Sequence, residues 1–245
     1  MKLTMLGTGD AFASRGRFQA GYVIEVDGRY VLMEAGPTLL ASMKRTEIAP
    51  ADLDYVLISH LHGDHFAGLP FLILEYLWES PRKRTLTIAG PKNLERRVWS
   101  LFGGMYPATD ASRVAKKLKF VVLEPGRAAR VGPMRIETVR TPHTKPDVSL
   151  AMRITAGNRV LGFSGDSGWT DSLTEISSGT DVFLCECTYF ESAHLDFHLN
   201  YPIIERNRDR FGAERIVLTH LGREALARER EIGMEMATDL MRIDV

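Results

Sequence analysis

Apolar residues recur in short runs with turn residues between them, and the first runs predict a small antiparallel unit. Residues 2–6 have the pattern of a strand that ends at Gly7-Thr8-Gly9. Two runs rich in β-branched and aromatic residues, 22–26 and 30–33, flank Asp27-Gly28, a dipeptide that favours the type I′ turn of a hairpin. The pattern therefore predicts a strand and a hairpin joined by a polar loop.

Beyond the hairpin, strand patterns alternate with helix patterns. Further strands are predicted over 52–59, 85–89, 119–123, 133–140, 148–154, 159–163, 181–186 and 215–219. Helices are predicted from Gly36-Pro37 to Met43 and over 71–78, 91–102, 170–178, 201–211 and 223–241. The helix over 71–78 is strongly apolar and is expected to be buried. This alternation predicts an α/β fold in which two sheets pack face to face with helices outside.

The composition is that of an ordinary globular chain. The 245 residues are 44% hydrophobic, enough for one domain or two small ones. No linker-like tract interrupts them, so we predict a single domain over residues 1–245. The first residues lack the apolar core and small-residue cleavage site of a signal peptide, and no membrane span is evident. A cytoplasmic location without membrane partners is expected.

Charge is unevenly distributed, although the formal net charge is zero. Residues 81–140 contain fourteen Lys and Arg against four Asp and Glu, a net charge of +10. This segment is either a phosphate-facing patch or a solvated face whose acidic partners come from elsewhere in the fold. Arg15 and Arg17 near the Gly7-Thr8-Gly9 turn are further candidates for contact with a substrate anion.

The two cysteines, Cys185 and Cys187, are one residue apart within an apolar strand pattern. Alternation along a strand points both side chains to the same face. We interpret them as reduced packing residues, with a metal or redox role as the alternative.

The densest group of chemically active residues directly follows the predicted strand over 52–59. Four side chains suited to metal coordination occur within six residues, at His60, His62, Asp64 and His65. Imidazole and carboxylate ligands suit Zn²⁺ and also Mn²⁺ or Fe²⁺, and no thiolate here requires zinc alone. The spacing predicts a metal site that can serve two ions.

Three later candidates also come where predicted strands end. They are His143, Asp166 and His220. Ligands on loops at strand ends can converge over one rim of a sheet sandwich, because the rigid scaffold positions them together. Their placement indicates that they complete the metal site.

These residues resemble the motifs of the metallo-β-lactamase superfamily. The run from His60 to Pro70, with His143, Asp166 in Ser-Gly-Asp and His220 in Leu-Thr-His, is similar to the tRNase Z branch and its small phosphodiesterase relatives. The resemblance implies an αββα four-layer sandwich with a dinuclear site. It further implies that His60, His62 and His143 bind one metal, that Asp64, His65 and His220 bind the other, and that Asp166 bridges them.

The chain departs from tRNase Z in two places. Only 22 residues separate His143 from Asp166, too few for the long arm that bacterial tRNase Z enzymes insert there. Where that family has His-Ser-Thr, this chain has His198-Leu199-Asn200. Both departures argue against tRNA 3′-processing.

The resemblance and the ligand types together suggest a mechanism. Two divalent ions, zinc first with manganese or iron as alternatives, make a nucleophilic hydroxide that bridges them. Asp64 is expected to be both a ligand and the group that orients this nucleophile. The candidate general acid is His198, held protonated by Glu186, and His194 is the competing choice.

The leading hypothesis is a phosphodiesterase acting on a small or nucleotide-like substrate. The alternatives are a tRNA 3′-processing endonuclease or a hydrolase of thioesters, lactones or sulfate esters that uses the same site. Two different classes are a diiron redox protein and a nucleic-acid-binding module with a structural metal, the latter recognised by affinity that falls steeply with salt. The resemblance also suggests a homodimer, for which the helical face near Leu72 to Trp78 is a candidate.

Overall fold

The computed structural model describes residues 1–191 and 196–245. The strands are β1 (Lys2–Gly7), β2 (Gly21–Val26), β3 (Arg29–Met33), β4 (Leu53–Leu57), β5 (Leu86–Gly90), β6 (Leu118–Val122), β7 (Ala129–Val131), β8 (Met134–Thr141), β9 (Ser149–Ala156), β10 (Arg159–Phe163), β11 (Val182–Glu186), β12 (Arg215–Thr219), β13 (Glu235–Met236) and β14 (Arg242–Asp244). The helices are α1 (Leu39–Met43), α2 (Gly63–Phe66), α3 (Leu69–Trp78), α4 (Leu94–Met105), α5 (Ser112–Ala115), α6 (Ser172–Ser177), α7 (Tyr201–Arg206) and α8 (Arg223–Ala227).

The described strands form two seven-stranded mixed sheets. The first has the order β14-β1-β2-β3-β4-β5-β6, and the second has the order β13-β12-β11-β10-β9-β8-β7. In each sheet an antiparallel half adjoins a parallel half, since the neighbours from β3 to β6 and from β10 to β13 are parallel. Strand β9 is antiparallel to both β8 and β10, so β8 points the same way as β10, β11 and β12. The carboxyl ends of these four strands therefore lie at one rim.

Three layers of apolar side chains hold the sheets and helices together. A central core between the sheets takes side chains from both, such as Met5 and Ile24 from the first and Ile136, Ile154 and Leu184 from the second. A second core lies between the first sheet and α1 to α5. A third lies between the second sheet and α6 to α8. The αββα four-layer sandwich is confirmed.

The hairpin of β2 and β3 follows from its turn residues. Asp27 and Gly28 have φ angles of 49° and 67°, the left-handed conformation that a type I′ turn needs at both central positions. The register pairs Val26 with Arg29 across this turn. The predicted hairpin is confirmed.

The last predicted helix, over 223–241, is wrong. Only α8 and a single 3₁₀ turn over Glu229–Glu231 are helical there. The chain then becomes extended, β13 pairs with β12, and β14 pairs with β1. The open edges of β12 and β1 offer backbone hydrogen-bond partners that local periodicity does not reveal. The helix predicted over 201–211 also ends early, at Arg206, and β7 was not predicted.

Helix α3 is buried as predicted except at its end. Leu72, Ile73 and Tyr76 pack into the second core, whereas Trp78 is 67% exposed and lies under the guanidinium of Arg113. Within the described ranges, no helix combines the length and the apolar character that crossing a bilayer requires.

Both cysteines are buried free thiols of the third core. Burial raises the pKa of each thiol, which keeps both sulfurs protonated and inert. The predicted packing role agrees with this arrangement.

Candidate metal centre

The histidine-rich segment changes direction where β4 leaves the first sheet. His62 has an extended backbone, with φ −79° and ψ 149°, and occupies the position directly before the short helix α2. Asp64 lies in the first turn of this helix and His65 follows it. The switch from extended chain to helix turns two more side chains towards the same rim as His60.

The second sheet supplies the other candidates from strands whose ends share that rim. His143 comes two residues after β8, Asp166 three residues after β10, and His220 directly after β12. Asp166 stands at the centre, because its Oδ2 atom lies close to four imidazole nitrogens. The Nε2 atoms of His65, His220, His143 and His60 are 3.2, 3.4, 3.6 and 3.8 Å from it.

The remaining contacts divide the seven side chains into two groups around Asp166. His62 Nδ1 lies 2.9 Å from His143 Nε2. On the other side, Asp64 Oδ2 lies 3.3 Å from Nε2 of both His65 and His220. The structure thus brings together every ligand candidate that the sequence singled out, in one set of His60, His62 and His143 and one of Asp64, His65, Asp166 and His220.

Several of these atoms are unsatisfied within the protein. His60 Nε2, His65 Nε2 and Asp166 Oδ1 are buried and have no hydrogen-bond partner among the described residues. Buried polar atoms nearly always have a hydrogen-bond partner. Three atoms without one in a single cluster therefore indicate that the cluster binds another species. Imidazole nitrogens and carboxylate oxygens are ligands for divalent cations, and the residues present therefore fit metal ions.

Electrostatics also favour cations here. Burial lowers the pKa of His60, His62 and His143, which keeps these imidazoles neutral and able to coordinate. Burial opposes ionisation of Asp64 as well, but the surrounding imidazoles outweigh it and lower the pKa of this carboxyl. The set of His60, His62 and His143 therefore consists of neutral imidazoles. In the other set the carboxylates of Asp166 and Asp64 outweigh burial and raise the pKa of His65 and His220, so a cation there would replace protons on these two rings.

Four of the histidines make a hydrogen bond through Nδ1, the nitrogen that faces away from the cluster. This contact fixes the orientation of each ring. The partners are Ser59 Oγ for His60 at 2.9 Å, Glu34 Oε2 for His65 at 2.9 Å, the Phe197 carbonyl for His143 at 2.8 Å and Thr188 Oγ1 for His220 at 3.0 Å. Such contacts direct the opposite nitrogen into a metal site and set its tautomer.

Glu34 was missed by the sequence analysis. It follows β3 directly, is fully buried, and has a φ of 61°, uncommon for a residue with a side chain. Its Oε1 accepts from the Ser59 backbone N–H at 2.8 Å while Oε2 accepts from His65. The signal in the sequence is an acid placed at the end of an apolar strand, Leu32-Met33-Glu34.

His198 and Glu186 lie together beside the cluster. His198 Nδ1 donates to Glu186 Oε1 at 2.8 Å, and the His198 ring stacks on that of His220 with centroids 5.6 Å apart. Burial alone lowers the pKa of His198, but the Glu186 carboxylate outweighs it and raises this pKa to about 9. His194, the competing candidate, lies outside the described residues.

Thr188 is a second residue that the sequence analysis missed. Its hydroxyl donates to Glu186 Oε2 at 2.7 Å and accepts from His220 Nδ1. The Ser167 backbone N–H donates to Glu186 Oε1 at 2.8 Å. One buried carboxylate therefore positions His198 directly and His220 through a hydroxyl.

The cationic candidates have mostly structural partners. The Arg17 guanidinium donates to Thr8 Oγ1 at 2.8 Å and to the Ala237 carbonyl at 2.6 Å, so it is not available to a substrate. In the basic segment, Arg84 pairs with Asp54 at 2.9 Å, an acid from outside the segment. Arg97 pairs with Asp147 in the same way at 3.6 Å. These contacts favour the solvated-face interpretation over a phosphate-facing patch.

Comparison with known proteins identifies the family of this chain. A profile of the family described as Anti-Pycsar protein Apyc1 matches residues 1–238. The probable metallo-hydrolase YhfI of Bacillus subtilis is 25% identical over 236 residues, covering 90% of this chain and 87% of YhfI. The crystal structure of YhfI covers 99% of both chains, with a TM-score of 0.80 at 23% identity.

Ribonuclease Z enzymes share the fold and part of the sequence. The enzyme of Methanococcus maripaludis is 32% identical over 110 residues, which is 45% of this chain and 35% of that enzyme. The short form of human tRNase Z superposes with a TM-score of 0.79 at 22% identity, covering 100% of this chain and 99% of that one. With the profile match, these findings show that the chain belongs to the Anti-Pycsar protein Apyc1 family, in the tRNase Z-like branch of the metallo-β-lactamase superfamily, and is a metal-dependent hydrolase.

Proposed function

We propose that this chain is a phosphodiesterase that hydrolyses a small or nucleotide-like phosphodiester at a dinuclear metal site, within one hydrolase domain over residues 1–245. The observation that carries the proposal is the His198–Glu186 pair at 2.8 Å beside a cluster of seven potential metal ligands. A phosphodiester needs both charge stabilisation at phosphorus and a proton for the departing oxygen. Metal ions held by the cluster would supply the charge stabilisation, and the His198–Glu186 pair would supply the proton.

We assign the ligand roles by the division that the resemblance implies, and the geometry supports it. His60, His62 and His143 would hold one divalent ion, and Asp64, His65 and His220 the other, with Asp166 shared between them. The central place of Asp166 Oδ2, within 3.8 Å of four imidazole nitrogens, supports the shared role. Bound there, a pair of Zn²⁺ ions, or Mn²⁺ or Fe²⁺, supplies Lewis acidity that activates water and stabilises charge on the phosphoryl oxygens.

Asp64 can also orient the attacking water. Its side chain is 10% exposed, against 3% for Asp166, so it faces the space where substrate enters. An ionised carboxylate only accepts hydrogen bonds, and it can therefore orient an attacking water by accepting from it. This assigns positioning of the nucleophile to Asp64.

His198 protonates the leaving group in this proposal. Its Nδ1–H donates to Glu186, so the proton available to a substrate is on Nε2. The raised pKa keeps the ring charged at neutral pH, and an imidazolium next to the cluster can give that proton to the departing oxygen. Glu186 holds the ring in place and stabilises its charge.

The test is hydrolysis of bis(p-nitrophenyl) phosphate by protein reconstituted separately with Zn²⁺ and Mn²⁺. Asp166→Ala is expected to abolish turnover, whereas Asp54→Ala, which removes a buried carboxylate paired with Arg29 and Arg84 away from the cluster, should retain it. Protein with demonstrated metal content and no turnover would refute the proposal. Thioesters, lactones and sulfate esters would then be assayed on the same preparation.

The structure gives the tRNA 3′-processing alternative little support. The residues between His143 and Asp166 contain the antiparallel strands β9 and β10 with a tight connection between them. The nucleic-acid-binding alternative predicts an affinity for RNA that falls steeply with salt, and the diiron alternative predicts bound iron with redox activity. The homodimer and the cytoplasmic location stay predictions of the sequence.

A further inference from the structure

The two sets of ligand candidates differ in their access to solvent. We call His60, His62 and His143 the three-histidine set, and Asp64, His65, Asp166 and His220 the two-carboxylate set. His62 is exposed, whereas the side chains of the other six candidates are at most 10% exposed. The three-histidine set therefore includes the most accessible of the seven ligands.

His62 also faces the cluster through the opposite nitrogen from the other histidines. Its Nδ1 atom lies 2.9 Å from Nε2 of His143, so its Nε2 atom points away from the ligands. Within residues 1–191 and 196–245, the His62 ring makes polar and ring contacts only with other ligand candidates, at centroid distances of 4.8 Å to His60 and 4.7 Å to His143. No described residue outside the cluster fixes the orientation of this ring by a hydrogen bond.

The histidines of the two-carboxylate set are held by buried acids. His65 Nδ1 donates to Glu34 Oε2 at 2.9 Å. His220 Nδ1 donates to the Thr188 hydroxyl at 3.0 Å, and this hydroxyl donates to Glu186 at 2.7 Å. Glu34 and Glu186 are 0% and 1% exposed. Such outer hydrogen bonds orient metal-binding imidazoles and make them stronger ligands.

Negative charge is also concentrated in the two-carboxylate set. Asp64 Oδ2 lies 3.3 Å from Nε2 of both histidines of this set. Asp166 Oδ2 lies 3.2 and 3.4 Å from the same two nitrogens, but 3.6 and 3.8 Å from Nε2 of His143 and His60. Because the attraction between opposite charges falls with distance, a cation in the two-carboxylate set is held more strongly.

We propose that the three-histidine set exchanges its metal ion with the solution, whereas the two-carboxylate set retains its ion. Rotation of the His62 ring out of the cluster would open the exchangeable site without breaking a buried hydrogen bond. The inference rests on the dinuclear site of the proposed function and adds its regulation. A hydrolase that needs both ions is active only while free metal refills the exchangeable site.

The experiment follows the release of Zn²⁺ from the di-zinc protein into excess chelator. Release should occur in two phases of one ion each, with rates that differ by roughly 10- to 100-fold, the effect that loss of one outer partner typically has on metal affinity. Incubation of the di-zinc protein with excess Co²⁺ should replace one zinc ion per chain during the fast phase. Loss of activity on bis(p-nitrophenyl) phosphate in chelator should follow the fast phase as well.

Two variants that keep all seven ligands assign the phases to the sets. Ser59→Ala removes the hydroxyl that bonds to His60 Nδ1 at 2.9 Å, and it should speed only the fast phase. Thr188→Val removes the hydroxyl that bonds to His220, and it should speed only the slow phase. Ser42→Ala is the control, because Ser42 is a buried serine in α1 that bonds to the Leu39 carbonyl; both phases should stay unchanged.

His62→Ala removes the exposed ligand itself. This variant should hold one ion per chain and release it at the slow rate of the wild type. A single ion that leaves at the fast rate would overturn the inference, because the exchangeable ion would then belong to the two-carboxylate set.

A single release rate for both ions of the wild type would also overturn the inference, as would a Ser59→Ala variant in which only the slow phase is faster. In these cases hydrolysis of bis(p-nitrophenyl) phosphate by the di-zinc protein leaves the proposed function standing. Two release phases in a protein without hydrolysis would support the unequal sites and refute the phosphodiesterase. Protein that never takes up a second ion removes the dinuclear site, and the inference and the proposed function with it.

Discussion

Replacing Glu34 with glutamine tests whether this buried carboxylate controls the metal centre. Its two oxygens accept from the Ser59 N–H at 2.8 Å and from His65 Nδ1 at 2.9 Å. An amide has one accepting oxygen and one donating NH₂ group, so glutamine cannot accept from both partners. If the NH₂ group faces His65, the ring must accept at Nδ1 and carry its proton on Nε2, the atom directed at Asp64 and Asp166.

That change of tautomer sets the expected magnitudes. A proton on His65 Nε2 removes one nitrogen ligand, and changes in such outer contacts typically weaken metal affinity by roughly 10- to 100-fold. If the amide instead turns its NH₂ towards Ser59, a buried donor is left unsatisfied, which costs about 1–3 kcal/mol of unfolding free energy. Zn²⁺ affinity by chelator competition and denaturant unfolding with chelator present separate the two results.

Glu75→Gln is the control for this experiment. Glu75 is also a buried carboxylate with two partners, Lys44 at 2.9 Å and the Ser80 hydroxyl at 3.0 Å, but it lies in α3 away from the cluster. Its replacement should lower stability and leave Zn²⁺ affinity unchanged. Wild-type affinity and wild-type stability together in Glu34→Gln would refute the role assigned to Glu34.

Three further predictions concern other parts of the molecule. His198→Ala should lower kcat on phosphodiesters by roughly 10²- to 10⁴-fold with metal content retained, and a loss of metal instead would contradict its role as the acid. Because burial raises the pKa of both thiols, Cys185 and Cys187 should stay unreactive to iodoacetamide from pH 7 to 9 and react only in denaturant; modification of native protein would show that they are accessible. Gly222→Ala should lower the melting temperature, since its Cβ would clash with the Thr188 carbonyl, and an unchanged temperature would mean that the backbone at Thr188 shifts without cost.

The parts of the structure that were predictable have a local cause. The β2–β3 hairpin follows from Asp27-Gly28, whose positive φ angles the turn requires. The ligand candidates were recognisable because His and Asp follow apolar strands, and strands that point the same way deliver their ends to one rim. The resemblance to a known superfamily added how those candidates divide between two metals.

The parts that were missed depend on contacts between distant segments. Strand β14 forms because β1 has an open edge, and nothing near residue 242 specifies a strand on its own. Glu34 differs from other acids only through its contact with His65, 31 residues away. Trp78 continues an apolar run but falls where α3 emerges from the core, so hydrophobicity alone assigned it to the interior.

The contacts of Asp239, which precedes β14, tie the order of synthesis to the completion of the fold around the site. Asp239 accepts from the Thr8 N–H and hydroxyl at 3.0 and 2.7 Å and from the Phe18 N–H at 2.8 Å, contacts that span more than 220 positions. A ribosome completes all seven ligand candidates by His220 and makes these anchoring residues only afterwards. The nascent chain thus carries every ligand before Asp239 has been made, and the loop between β1 and β2 would be the last part around the site to reach its final position.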